Sequence, residues 1–374
     1  MTTTAPTRAT PPRIVADIGG TNGRFAIVRD GVVTERREYR NASFPDLATL
    51  VTRYLADAGS ADDDVRVACL AVAAPITADG EAKFTNAPWR VSGRALQQAM
   101  GLSQVALIND FAAQAYGLET LGDADTTVVA DGVAEAAVAR PRGDEPAGAS
   151  VAHRGGAVER SAPGDPSVAA PATTAAAPLA ARVVLGPGTG LGCAALVPSI
   201  EQVGALVAVT SEGGHMGFSA STADDRRIFD LAQRRFGRTS WERVCCGAGL
   251  ALVHEALWPD DVLPGVADGN PAEVVRHARA DAASHAAETV RQYCGLLGAF
   301  AGDLALVFRA TGGVYLTGGV LGHLGDAFDR DAFLARFVDK GRYREWLGGL
   351  AVRRIVADDV ALRGCARYLE RTVS

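Results

Sequence analysis

Asp110 is the residue in this chain whose position most invites chemistry. It lies in VALINDFAAQAYGL (residues 105–118), where an apolar strand-like run ends and a helix-like stretch begins. A carboxylate at that junction can orient an alcohol and accept its proton during phosphoryl transfer, or it can simply cap the helix that follows. Two glycine-rich turns lie on either side of it in sequence. IVADIGGTNGRFAIV (14–28) sets Gly19, Gly20, Thr21 and Asn22 between apolar runs, and VVLGPGTGLGCAALV (183–197) does the same with Gly186, Gly188, Thr189 and Gly190. Each reads as strand, tight turn and strand, either an ordinary hairpin or a backbone cradle for phosphate oxygens. Asp17 at the edge of the first turn favours the cradle, because a carboxylate there can hold Mg²⁺ through water. Neither turn carries a P-loop lysine or opens a helix as a dinucleotide fingerprint does.

Two further segments are polar or glycine-rich. TSEGGHMGFS (210–219) groups Glu212 and His215 around two glycines with no helical or strand period. A histidine there is either a structural residue or, with Glu212, a reader of vicinal hydroxyls through paired donors and acceptors. VYLTGGVLG (314–322) places Gly318 and Gly319 after an apolar strand, as a strand-ending turn or as a seat for the adenosine half of a nucleotide. Glu242, in SWERVCCGAGL, reads by residue type as an exposed or capping carboxylate.

These residues need a scaffold. From residue 13 to about 110, strand-like segments (IVADI, GRFAIV, VRVACLAV) alternate with helix-like ones (FPDLATLVTRYLADAG, SGRALQQAMG), which indicates an α/β lobe. A chain of 374 residues exceeds one usual core, so two lobes with a cleft between them are expected. Residues 1–12 are Thr- and Pro-rich and read as a flexible tail. The stretch 122–180, rich in Ala, Pro, Gly, Asp and Ser, reads as a mobile insertion. Apolar signal resumes at Arg182. The segment ASHAAETVRQYCGLLGAFAGDLALVF is expected to be a buried helix in which Gly295, Gly298 and Gly302 permit close packing. VRRIVA and LRGCARYLER close the chain as a strand and a helix.

Composition narrows the partners. A net charge of -6 without clustered Lys and Arg argues against nucleic acid, and small molecules are expected instead. Six scattered cysteines form no CxxC pair and read as reduced, buried thiols. No apolar run reaches the ~18 residues needed to span a bilayer, so no membrane partner and a cytoplasmic location are expected.

Taken together and in order, the motifs resemble those of the bacterial glucokinase family of the hexokinase/actin-like ATPase superfamily. DIGGTNGRFA is similar to that family's first phosphate motif, APIT and TNAPW to its early sugar-side segments, and INDF to its catalytic segment. LGPGTGLG is similar to the second phosphate motif, EGGH and ERV to the glucose contacts, and LTGGV to the adenosine motif. The resemblance covers nearly the whole chain outside the tail and the 122–180 stretch. It implies a two-lobed actin-like ATPase (ribonuclease H-like) α/β fold with an interlobe cleft: a small lobe of residues 13–121 plus about 352–374, and a large lobe of 122–351. It implies phosphorylation of glucose at C6 with ATP and Mg²⁺ by a homodimer, or else another hexose kinase or a non-catalytic sugar sensor on the same fold. Asp110 would then be the general base, with Asn109, Glu212, His215, Glu242 and Asn86 on the sugar hydroxyls. An unperturbed aspartate titrates at about 3.9, so Asp110 is expected to be ionised at neutral pH without special tuning. The chain departs from the family pattern at Met216-Gly217-Phe218, where an Asp often follows EGGH, and at Cys245-Cys246-Gly247-Ala248-Gly249, where a Ser-Gly-Pro-Gly-like turn is usual. No cysteine lies between His215 and Cys245, which separates the chain from the zinc-containing branch of related sugar kinases.

Overall fold

The computed structural model of the chain describes residues 11–59, 65–83, 89–132, 179–266 and 270–372. The first block runs β1 (Arg13–Ile18), β2 (Asn22–Arg29), β3 (Val32–Arg40), α1 (Leu47–Asp57), β4 (Val67–Val72), β5 (Glu81–Lys83), β6 (Arg90–Ser92), α2 (Gly93–Met100), β7 (Gln104–Asn109) and α3 (Asp110–Gly117). Five of its strands form a sheet in the order β3-β2-β1-β4-β7, with β1 antiparallel to β2 and parallel to β4. Ile14, Ala16 and Ile18 face one core beneath α1 and α2, while Val15 faces another. Burial on both faces explains why these strands read as unbroken apolar runs.

The second block contains β8 (Thr126–Ala130), β9 (Arg182–Pro187), β10 (Leu191–Pro198), β11 (Leu206–Ser211), α4 (Ala223–Phe236), α5 (Trp241–Cys245), α6 (Gly247–Leu257), α7 (Ala272–Ala280) and α8 (His285–Phe308). It continues through β12 (Val314–Leu316), α9 (Gly319–Leu324), α10 (Arg330–Phe337), α11 (Arg344–Gly348) and β13 (Val352–Ile355), and α12 (Val360–Thr372) ends the described chain. Its sheet runs β11-β10-β9-β12-β13-β8. The order β11-β10-β9-β12-β13 repeats β3-β2-β1-β4-β7 with the same strand directions. The two glycine turns therefore occupy equivalent hairpins, β1–β2 and β9–β10, in two sheets of like topology.

Helices α3 and α12 lie between these sheets. Ala113 of α3 and Leu362, Cys365 and Leu369 of α12 pack on the first sheet, and Ala115, Tyr116 and Val360 pack on Val184, Ala194 and Leu196 of the second. The expected long helix is α8. Its glycines admit α10, for a Cβ on Gly298 would lie 2.1 Å from the Phe333 carbonyl oxygen and one on Gly302 would lie 2.4 Å from that of Phe337.

Two boundaries differ from the sequence reading. Thr126–Ala130, placed by composition in the loop starting at 122, is a strand whose Val129 enters the second core. Its partner β13, expected in the small lobe, also belongs to the second sheet, between β12 and β8. Only α12 returns to the first sheet. Short strands of this kind are specified by the partner across the sheet, a contact between residues more than 200 apart in sequence. Residues 1–10 of the expected tail and 133–178 of the expected insertion lie outside the described residues.

Candidate functional site

The first hairpin turn is closed by Gly19 N–H donating to the Asn22 carbonyl at 3.0 Å. Asn41, buried just after β3, braces it from behind. Its Nδ2 donates to the Gly19 carbonyl (2.8 Å) and its backbone N–H to the Thr21 carbonyl (2.8 Å). Sequence reading missed Asn41, since nothing in NASFPD marks one polar residue of a turn-rich stretch as buried. Thr21 is exposed at the turn, and Gly19 and Gly20 are half-buried. The Asn22 side chain turns toward β3, donating to Glu38 at 2.6 Å. Asp17, near the end of β1, stands in register with Arg24, whose guanidinium approaches its carboxylate to 3.8 Å and also reaches Glu38 at 3.3 Å. Burial raises the Asp17 pKa; Arg24 opposes the rise and the Glu38 charge adds to it.

Asp110 opens α3 at the carboxyl end of β7. The helix cap is Asn109, whose Oδ1 accepts from Phe111 N–H (2.9 Å) and Ala112 N–H (3.2 Å). Asp110 Oδ1 also accepts from Phe111 N–H, at 3.0 Å. The helix does not need Asp110 as its cap. Its pKa is pushed up to about 7, first by burial, then by the Asp17 charge, with the Phe111 and Asp110 backbone N–H groups opposing and Glu212 adding a smaller rise. This corrects the expectation of an untuned aspartate, because burial and neighbouring charge depend on what surrounds the residue in space. Asp17, Asp110 and Glu212 thus share one electrostatic neighbourhood.

The second hairpin turn rests against this cluster. A Cβ on Gly192 would fall 1.9 Å from the Phe111 ring, so glycine is what lets β10 pass beside the residue following Asp110. Gly188 accepts at its carbonyl from Gly247 N–H, at the start of α6 (2.8 Å), and Thr189 is exposed at the tip. The third glycine element meets the second directly. Gly318 has φ +103°, and a Cβ there would lie 2.5 Å from the Pro187 carbonyl oxygen; one on Gly186 would lie 2.8 Å from that of Thr317. Gly318 and Gly319 are exposed, beside the second turn.

Glu212, Gly213, Gly214 and His215 form a single turn after β11, with His215 N–H donating to the Glu212 carbonyl (2.9 Å). Gly213 and Gly214 press onto Cys193 and Leu191 of β10. Glu212 and His215 are exposed. Glu242 of α5 is half-buried rather than solvent-facing: Oε2 accepts from Leu191 N–H at 3.1 Å, and Oε1 stands 3.9 Å from His215 Nδ1. Asn86 lies outside the described residues. Among the described residues no group of three His, Cys, Asp or Glu forms a metal cluster. A cavity of 590 Å³ lined by Arg227, Trp258 and His285 lies elsewhere and shares none of these residues. Convergence of motifs, rather than cavity size, marks the site.

Comparison with known proteins gives the family and the fold. The chain matches the Glucokinase family over residues 14–141 and 161–372. It is 34% identical to the glucokinase of Chromobacterium violaceum, covering 96% of this chain and 89% of that one. It is 33% identical to the bifunctional protein glk of Burkholderia orbicola over 97% of this chain, but spans only 49% of that relative. Thus the chain spans about half the length of the bifunctional relatives it matches. Among solved structures, a glucokinase from an Antarctic psychrotroph superposes with a TM-score of 0.72 at 27% identity, covering 97% of this chain and 99% of that one. A ROK family glucokinase from Streptomyces griseus, solved with glucose and AMPPNP, shares the fold at 19% identity and a TM-score of 0.57, covering 96% and 99%. No helix among the described residues is long and apolar enough to cross a membrane.

Proposed function

Because the chain belongs to the glucokinase family, we propose that it transfers the γ-phosphoryl group of ATP to the C6 hydroxyl of glucose, giving glucose 6-phosphate and ADP. The observation that carries this reading is the gathering of Asp110 with Asp17 and Glu212, while the second glycine turn and the Glu242–His215 pair are tied to the same strand, β10. In-line phosphoryl transfer asks the protein chiefly for positioning and charge stabilisation. Backbone amides of the β1–β2 and β9–β10 turns supply donors for the phosphates, and Gly318 and Gly319 border the adenosine. Asn109, Glu212, His215 and Glu242, with Asn86, read the sugar hydroxyls.

Asp110 orients the C6 hydroxyl and takes its proton as the new O–P bond forms. With a pKa of about 7 it is poised where a general base works best at neutral pH. Asp17 fits a role in holding Mg²⁺, since this cation binds through one or two carboxylates plus substrate phosphates, and Asp17 is a desolvated carboxylate beside a second one. Mg²⁺ would there neutralise charge on the transferring phosphates. The reading carries with it a homodimer and a cytoplasmic location, where ATP is available. Other hexoses remain alternative acceptors, and a non-catalytic sugar sensor has no use for the Asp110 environment.

A coupled assay of ADP release across glucose, mannose, fructose and glucosamine tests the proposal. Glucose is expected to be fastest, and Asp110→Ala to lower kcat about 10²–10⁴-fold while glucose binding survives. ADP release independent of sugar would make the protein an ATPase, and binding without turnover would make it a sensor.

A further inference from the structure

We infer that Glu242 is a positioning residue that couples sugar binding to the shape of the donor-phosphate turn, one carboxylate oxygen standing toward the sugar-reading loop at His215 while the other holds the Leu191 amide. This rests on the glucose-phosphorylating reading of the site and adds a link between its two halves. The distances are 3.9 Å from Oε1 to His215 Nδ1 and 3.1 Å from Oε2 to Leu191 N. The carboxylate also lies flat against the turn, because a Cβ on Gly190 would sit 2.6 Å from Oε2. Any side chain at 190 would displace Glu242 from Leu191.

The helix bearing Glu242 is fastened on both sides. Trp241 N–H donates to the Met216 carbonyl (3.1 Å), and Gly217 pairs with Ser240 as an isolated bridge, so α5 is stitched to the segment following His215. One turn further on, Gly247 N–H donates to the Gly188 carbonyl (2.8 Å). The turn Gly188–Leu191 is thus gripped at both ends by one stretch, residues 242–247, whose other side carries the sugar loop. A hydroxyl that engages His215 and Glu242 fixes the carboxylate and, with it, the backbone that receives the phosphates. Coupling of this kind is reciprocal, so glucose should tighten nucleotide binding by the factor by which nucleotide tightens glucose binding.

Calorimetric titration of the whole protein with ADP, with and without glucose, avoids turnover. In the parent protein glucose should tighten ADP binding about fivefold or more, within the ordinary range of coupling. Glu242→Ala should weaken ADP binding about tenfold in the absence of any sugar, as loss of a hydrogen bond to a charged group would, and should abolish the coupling. Glu242→Gln keeps an oxygen for Leu191 N–H, so its affinity for ADP alone should match the parent while glucose binding weakens. Gly190→Ala, a change in the phosphate turn, should weaken glucose binding. Thermal unfolding reports whether each variant folds, and if Glu242→Ala does not, the Gln and Gly190→Ala variants decide. Parent-like ADP affinity in Glu242→Ala, or parent-like glucose affinity in Gly190→Ala, would overturn the coupling. A parent protein that binds neither glucose nor ADP would overturn the functional reading beneath it instead.

Discussion

Replacing Asp110 by Asn should make the ligand-free protein more stable at alkaline pH while removing the proposed general base. A carboxyl group whose pKa rises from 3.8 to about 7 on folding holds its proton more tightly in the native state. Below about pH 3 both states are protonated and the residue contributes nothing; as pH rises toward 7 the unfolded chain ionises first and the native state loses ground; above 7 nearly the full penalty is present. At about 1.36 kcal/mol per pH unit, the gap amounts to about 4 kcal/mol at pH 8 and about 2 kcal/mol at pH 5. Asn has no such proton, can keep the acceptor for Phe111 N–H, and removes the repulsion from Asp17 and Glu212. For 374 residues unfolding with an entropy of about 2.1 cal/mol/K per residue, the variant's Tm should exceed the parent's by about 5 °C at pH 8 and about 2 °C at pH 5. Differential scanning calorimetry of both proteins across that range reads this directly. A Tm difference that stays constant from pH 5 to 8, or a variant less stable than the parent at pH 8, would refute the claim that burial and neighbouring charge strain this carboxylate.

Gly192→Ala puts a Cβ into the Phe111 ring and should destabilise the protein by about 1–3 kcal/mol in denaturant titration, with kcat falling because Asp110 is displaced alongside its neighbour; parent-like stability and turnover would show that the ring moves freely. Asn41→Ala leaves the Gly19 carbonyl without its brace and should cost about 1–2 kcal/mol, raising KM for ATP more than KM for glucose. Equal changes in both constants would mean that Asn41 supports the lobe generally rather than the first glycine turn. Chelation of divalent cations should abolish turnover and leave glucose binding intact, whereas undiminished activity in excess chelator would remove Asp17 from its assigned role.

Local patterns carried much of this protein. Both glycine turns, the Asn109–Asp110 junction, the EGGH turn and the buried α8 are legible because each is set by neighbours a few residues away: apolar runs that become strands, glycines that allow a turn, a change of hydrophobic period. Their repetition in one chain already pointed to two equivalent hairpins. The family match over residues 14–141 and 161–372 is likewise a property of the sequence alone.

What tertiary structure decided lies in contacts between distant residues. Asn41 becomes a brace only because β3 returns it to the Gly19 turn, and Glu242, read by type as an exposed or capping carboxylate, becomes a link because α5 packs beside Leu191. Strands β8 and β13 find their sheet in each other and in β12, not in their own short sequences. Asp110 shows the division most plainly. Its place at the end of a strand was written in the order of residues, but its readiness to hold a proton near pH 7 comes from burial and from the charges of Asp17 and Glu212, residues 93 and 102 positions away, which only the folded chain brings near.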